Sequence, residues 1–353
     1  IPSFEDFIEH ARDVFESAWL TNNGPKLQLL DKQLKEYLGS NNITIVSNGT
    51  IAIQILLRAM EVKDEVITTP YSYVATTSAL LWEKCIPVFA DIDPYTFCID
   101  PEKVEQCITE KTTAILATNV YGRPCDVEGL EAIAERYNLK LIFDAAQAFG
   151  AKYKSRSVLT LGDGATSSFH ATKVFNTAEG GSIYFKDPAL EEKIELLRSF
   201  GHKDDDHYVL GINGKMSELH AIMGLIVLPH INDIIAKRKL LTEAYHERLP
   251  NHIISNPNIE GWENNYSYYP ILAKNNNQRE ALISALIDKK IKPRRYFYPS
   301  LDQLPYLPDS CNKKMPISID IASRVLCLPL YYDLKIDEID LISDIVKKII
   351  NEG

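Results

Sequence analysis

The chain has 353 residues, of which 45% are hydrophobic and 24% charged, with a formal net charge of −10. That is the make-up of a soluble globular enzyme with room for two domains. The charge excludes a nucleic-acid binder, which needs clustered Lys and Arg against the phosphate backbone, but leaves open a small anionic ligand held at a local basic or helix-N-terminal site.

Residues 3–18 place Phe4, Phe7, Ile8, Ala11, Val14 and Phe15 at helical spacing, predicting an amphipathic helix. Trp19 to Pro25 breaks it, and Pro25 suits the first turn of a second helix ending near Leu38. Strand and helix then alternate. Strand-like runs at 43–46, 66–69, 88–90, 114–117 and 141–143 are separated by helices predicted at 49–60, 73–82, 101–108 and 127–137. This alternation implies a mostly parallel sheet covered on both faces, with ligands at the carboxyl ends of its strands.

Beyond this series, 182–185 reads as a strand and 188–199 as a helix. Gly201 to Gly211 is a polar loop whose His202-Lys203-Asp204-Asp205-Asp206-His207 run reads as solvated charge rather than a metal site. A long helix is expected from Met216 to about Tyr245, bent near Pro229, leading into a smaller α+β unit. That unit contains a strand within 264–273, a helix at 277–289, strands near 291–296 and 325–328, and a final helix at 336–350. The expected division is a large domain over 1–230 and a small C-terminal one over 231–353.

Three stretches fall at strand ends. Ser47-Asn48-Gly49-Thr50 is either a phosphate cradle or plain helix capping; it lacks the lysine of a P-loop and the glycine spacing of a dinucleotide site. The aromatics of Pro70-Tyr71-Ser72-Tyr73 could lie on a planar ring or pack in the core. The third stretch ends on Asp144, followed by Ala145-Ala146-Gln147. Downstream, Lys173 sits among apolar neighbours in Phe169-His170-Ala171-Thr172-Lys173-Val174-Phe175, with Glu179-Gly180-Gly181 after it. A lysine and a strand-terminal acid are what pyridoxal phosphate chemistry uses: the amine forms a Schiff base, and the carboxylate keeps the pyridine nitrogen protonated.

The six cysteines are scattered without a Cys-x-x-Cys pair, which argues against zinc, iron–sulfur or disulfide frameworks and fits a reducing cytoplasm. Apolar runs are shorter than the ~20 residues of a membrane helix. No secretory signal opens the chain, and Ile1 without a Met reads as a trimmed start.

The ordered blocks Trp19–Pro25, Ser47–Thr50, Tyr73–Thr76, Asp144–Ala148, Ser168–Lys173, Asn213–Glu218 and Arg294–Pro299 together resemble the DegT/DnrJ/EryC1/StrS family of nucleotide-sugar aminotransferases. The resemblance spans nearly the whole chain. It implies the PLP fold type I, aspartate-aminotransferase-like α/β architecture and a homodimer with shared active sites. By it, Lys173 carries pyridoxal 5'-phosphate, Asp144 pairs with the pyridinium nitrogen, Gln147 meets the phenolic oxygen and Tyr73 stacks on the ring. Gly49, Thr50 and Ser168 would hold the phosphate, with Asn213 reaching it from the neighbouring subunit.

The family's sugar 3-dehydratases carry His in place of the lysine, and its iron–sulfur dehydratases add clustered cysteines; neither feature occurs here, so transamination is the expected reaction. L-glutamate is the expected donor, yielding 2-oxoglutarate. Ala171 and the Phe175-Asn176-Thr177 run resemble members that aminate C4 of dTDP-4-keto-6-deoxyglucose for surface polysaccharide. The alternatives are amination at C3 of a 3-keto sugar and a non-catalytic regulator. Arg294 and Arg295 with Tyr296 are candidates for binding substrate anions, or else form a basic strand edge.

Overall fold

The computed structural model describes residues 3–308, Cys311 and 314–352, so Ile1 lies outside the described residues. α1 (Phe4–Ser17) starts where the Ser3 hydroxyl accepts the Asp6 N–H at 3.0 Å. α2 (Pro25–Leu38) opens on proline and ends at Gly39 in the left-handed conformation. Its first N–H groups are taken up by a distant residue. The buried Glu218 carboxylate accepts from Lys26 at 2.7 Å and Leu27 at 2.9 Å. A Cβ at Gly24 would lie 2.6 Å from that carboxylate, so the Asn-Gly-Pro break is shaped to admit it.

The alternating segment forms β1 (Ile43–Val46), α3 (Gly49–Ala59), β2 (Glu65–Thr68), α4 (Ala75–Trp82), β3 (Ile86–Phe89), α5 (Pro101–Glu105), β4 (Thr112–Thr118), α6 (Val127–Tyr137) and β5 (Lys140–Asp144). Two short strands, β6 (Lys152–Tyr153) and β7 (Arg156–Ser157), precede β8 (Gly164–Ser168), β9 (Gly181–Phe185) and α7 (Glu191–Arg198). The main sheet has seven strands in the order β1-β9-β8-β5-β4-β2-β3. β3, β2, β4, β5 and β8 run parallel, while β9 is antiparallel to both β1 and β8.

Consecutive strand residues face opposite sides of the sheet. Ile45, Ile67, Ile115 and Leu141 belong to a core shared with residues of α2, α6 and α8 (Glu218–Val227). Val46, Val66, Leu116 and Ile142 belong to a second core, on the side of α3, α4 and α7.

β8 escapes the sequence reading because Gly-Ala-Thr-Ser-Ser carries no apolar run. Its first four residues are nevertheless buried, and a Cβ at Gly164 would come within 2.9 Å of Leu56 on α3. The strand is small because a helix lies directly on it.

The polar loop after α7 folds into a minimal hairpin, β10 (His202–Lys203) with β11 (Asp206–His207). Among the described residues no group of three or more His, Cys, Asp or Glu could hold a metal. α8 is followed by a tight turn at 228–230 and α9 (Ile231–Arg248), so the expected bend falls at Pro229. By length and composition the run Glu218–Arg248 could cross a membrane. Here its apolar residues Ala221, Ile222, Leu225 and Leu241 are buried in the cores of the fold.

Beyond it lie β12 (Trp262–Glu263), which pairs with β6, and β13 (Tyr269–Leu272). They are followed by α10 (Asn276–Asp288), α11 (Pro316–Arg324), β14 (Val325–Leu328) and α12 (Ile336–Glu352). β13 and β14 pair antiparallel over a separate core with Leu241 and Tyr245 of α9, Leu282 and Leu286 of α10, and Ile339 and Val346 of α12. The strand expected at 291–296 does not form. Only Arg294 bridges to Cys327, because Pro293 offers no N–H and Lys290 has positive φ.

Candidate active site

β5 delivers Asp144 to the carboxyl end of the sheet, where it is 4% exposed. Its Oδ1 accepts the Ala146 N–H at 3.1 Å, and its Oδ2 accepts the Thr76 hydroxyl at 2.7 Å. Behind Thr76 stand Ser72 Oγ, at 2.7 Å, and Thr118 Oγ1, which donates to Ser72 at 3.2 Å. Burial pushes the Asp144 pKa up, while Thr76, the Ala146 N–H and the Lys173 charge pull it back.

Lys173 lies on the loop joining β8 to β9. The loop is closed by Phe169 N–H to Gly180 O at 2.7 Å and Ala171 N–H to Ala178 O at 2.8 Å. Its aromatics are anchors: Phe175 stacks on Phe149 at 4.3 Å between centroids and meets Phe169 edge-on at 4.9 Å. Pinned between them, Lys173 is half-buried and faces a cavity of 1280 Å³. Burial lowers its pKa, opposed by the charge of Asp144.

Gln147 occupies the wall of a small recess that Lys173, Thr172, Ser267 and Tyr268 also line. Its Oε1 accepts the Tyr121 N–H at 2.6 Å. The carboxamide NH₂ is therefore the end left free to donate. Tyr121 holds φ at 57° and is fixed on two sides: its hydroxyl is 2.7 Å from Tyr71 Oη and also donates to Tyr296 O, while its carbonyl accepts Ser267 Oγ at 2.7 Å.

At the start of α3, Asn48 caps the helix by accepting the Ile51 N–H at 2.9 Å. Capping leaves room for an anion, since the Gly49 and Thr50 N–H groups bond to no described residue. Ser168, ending β8, faces this turn: a Cβ at Gly49 would sit 2.9 Å from Ser168 Cβ. Only glycine keeps that approach open.

Tyr73 precedes α4 with its ring 57% exposed. Asn213 is outside the cavity; its Oδ1 accepts Lys215 Nζ at 2.9 Å, and the next residue's carbonyl accepts the Ser47 N–H at 2.7 Å. Of the two arginines expected to meet anions, Arg294 lines the cavity. Arg295 instead stacks over Tyr298 at 3.4 Å and is not in its lining.

The donor set fits a phosphorylated pyridine. A buried carboxylate, an amine on a cavity, an amide N–H₂ donor and free helix-terminal N–H groups converge on one end of the sheet. The sequence reading missed Thr118 and Tyr121, and quoted Ser72 and Thr76 without giving either a role. A threonine in the first turn of the helix that follows a strand was the available signal for Thr76; for the others only the fold supplies one.

Comparison with known proteins adds the following. The family model described as the DegT/DnrJ/EryC1/StrS aminotransferase family matches residues 3–347. A Shigella dysenteriae protein named dTDP-4-amino-4,6-dideoxy-D-glucose transaminase is 41% identical over 99% of this chain and 97% of its own. Among solved structures, DesI in the presence of its TDP-sugar product superposes with a TM-score of 0.95 at 30% identity, covering 100% of this chain and 92% of the other. A sugar aminotransferase from Streptococcus pneumoniae in its PLP form gives 0.92 at 26% identity, over 99% and 97% of the two chains.

Proposed function

The chain belongs to the DegT/DnrJ/EryC1/StrS aminotransferase family, and on that premise we propose that it transfers an amino group to C4 of dTDP-4-keto-6-deoxyglucose, forming dTDP-4-amino-4,6-dideoxyglucose for a surface polysaccharide. It is a pyridoxal-phosphate-dependent sugar aminotransferase. The observation that carries the reading is Lys173, half-buried on a large cavity, with the charge of the buried Asp144 acting on its amine. The C4 assignment is supported by the 41% identical relative named for the 4-amino sugar.

Pyridoxal phosphate bound here supplies an electron-accepting ring and a carbonyl that exchanges amines. The chain's residues do the rest. Lys173 is the residue we assign to hold the cofactor. Its Nζ, with a pKa held down by burial, is the base that takes the Cα proton of the donor and later returns one to the sugar carbon gaining nitrogen. Asp144, positioned by Thr76 and Ala146, would offer a negative charge to the ring nitrogen. Gln147 would offer its NH₂ to the phenolic oxygen, and Tyr73 would stack on the ring. Gly49, Thr50 and Ser168 would hold the phosphate. Overall, donor amine and sugar ketone become 2-oxo acid and amino sugar, with no net redox change.

We assign L-glutamate as donor, a homodimer in which Asn213 reaches the partner's phosphate site, and a domain boundary near residue 230, at the Pro229 turn that precedes the separate C-terminal core starting at Leu241. We assign the chain to a reducing cytoplasm, which cysteines scattered without a Cys-x-x-Cys pair suit. Which ketone reacts depends on how the sugar lies against the amine, and a misplacement of ~1 Å costs on the order of a hundredfold in rate. The test is incubation with glutamate and each keto isomer, followed by NMR of the product. Nitrogen on C3, with the 4-keto sugar untouched, would replace this reading.

A further inference from the structure

The wall of the Lys173 cavity formed by α9 contains a cation that makes no ion pair with any described residue. Arg238 is 7% exposed and lines the cavity together with Ser267 and Tyr268. Its Nη1 donates to the carbonyls of Tyr266 at 3.1 Å and Ser267 at 3.3 Å. Nε is buried without a partner, and Nη2 bonds to no described residue. The opposing influence on its charge comes from the Tyr268 phenol, not from a carboxylate. Burial brings its pKa down to about 10, which still leaves the group charged at neutral pH.

An arginine has five N–H donors in a planar fork, and here one nitrogen serves the backbone while the other two bond to no described residue. Burying an unpaired charge is costly unless an anion meets it. The surroundings lean the same way: in a chain of net charge −10, Arg294, Lys289, Lys290 and Lys292 line this same cavity, against the acids Asp6, Asp233, Asp333 and Glu338. Asp233 shares α9 with Arg238 yet makes no ion pair with it.

We propose that Arg238 is an anion subsite of this cavity, taking a carboxylate or phosphate oxygen of a substrate on its free Nη2. The proposal rests on the transaminase reading, in which both substrates carry such groups: a carboxylate on the amino donor and a diphosphate on the nucleotide sugar. Its position beside the Ser267 turn, which also lines the recess of Lys173 and Gln147, puts that anion at the edge of the reacting centre.

The test is calorimetric titration of the holoenzyme and of Arg238→Gln with glutarate, with inorganic pyrophosphate and with thymidine. Affinity for at least one of the two anions should fall about tenfold or more in the variant. Which anion weakens identifies the source, and thymidine binding should be unchanged. Should Arg238→Gln fail to fold, Arg238→Lys, which keeps the charge but loses the fork, carries the same comparison. Neither anion binding to the wild type, or both binding the variant equally well, would overturn the proposal. So would thymidine weakening in step with the anions, since Arg238 would then only brace the Tyr266–Ser267 turn. A chain that binds an anion through Arg238 yet aminates no keto sugar would instead sink the transaminase reading and leave the subsite standing.

Discussion

Thr76 Oγ1 donates to Asp144 Oδ2 at 2.7 Å, joining the first turn of α4 to the end of β5 across the sheet. The threonine is itself in contact with Ser72, which accepts from Thr118, so hydroxyls are relayed toward the buried acid. Burial raises the Asp144 pKa and this hydrogen bond lowers it. Removing the hydroxyl in Thr76→Val should therefore raise it further. The acid limb of the kcat/KM profile should move to higher pH, with about a tenfold loss at neutral pH, the scale of one hydrogen bond to a charged group. An unmoved acid limb would mean that the threonine is only packing.

Asp144→Asn separates catalysis from stability. A buried acid with a raised pKa binds protons more readily folded than unfolded, so its ionisation lowers stability as pH rises above the ordinary carboxylate range. That penalty grows until pH passes the raised folded-state pKa. The asparagine variant, lacking the charge, should be at least as stable as wild type in cofactor-free denaturant melts at pH 7. Its kcat should fall by on the order of a hundredfold or more, as when a preorganised charge partner is removed. A clear drop in melt midpoint would contradict the assigned cost of the buried charge.

Lys173→Ala should lose turnover by more than about 10⁴-fold, since one residue serves as anchor and as base. Borohydride treatment of the wild-type holoenzyme should fix the cofactor on the peptide containing Lys173. Recovery of the label on another lysine would move the site. Because burial depresses the Lys173 pKa, its neutral form should appear at lower pH than an exposed lysine's. Chemical labelling of the cofactor-free protein against pH measures this directly.

Gln147→Glu keeps an acceptor for the Tyr121 N–H but replaces the free NH₂ with an oxygen. The bound cofactor's visible absorption should shift, and kcat should fall about tenfold with the melt midpoint little changed, the usual worth of one hydrogen bond in the site. An unchanged spectrum would show that the carboxamide donates to nothing on the cofactor.

If the sites are shared, inactive Lys173→Ala mixed with a weakly active Asn213→Ala should regain activity after subunit exchange. One site of each mixed dimer would then have its lysine and its partner asparagine intact. Proven exchange without recovery argues for self-contained sites.

What could be read along the chain was local. Alternating apolar runs, the proline opening α2, the Pro229 bend and the strand-terminal Asp144 are written in hydrophobic period and backbone chemistry, which act within a few residues. Lys173 stood out because Phe169 and Phe175 flank it, and those rings do pin its loop. β8 was hidden because its burial comes from α3 lying over small polar residues, not from its own hydrophobicity. The partners of the site residues were equally hidden. Thr76 lies 68 positions from Asp144, and Tyr121 lies 26 from Gln147. Arg238 was not singled out along the chain. Its isolation from any carboxylate exists only once α9 and the Tyr266–Ser267 turn close over it. The sequence by itself determined which groups can do the chemistry. The tertiary structure decided their protonation and which hydrogen-bonding ends stay free, because burial and distant partners set both.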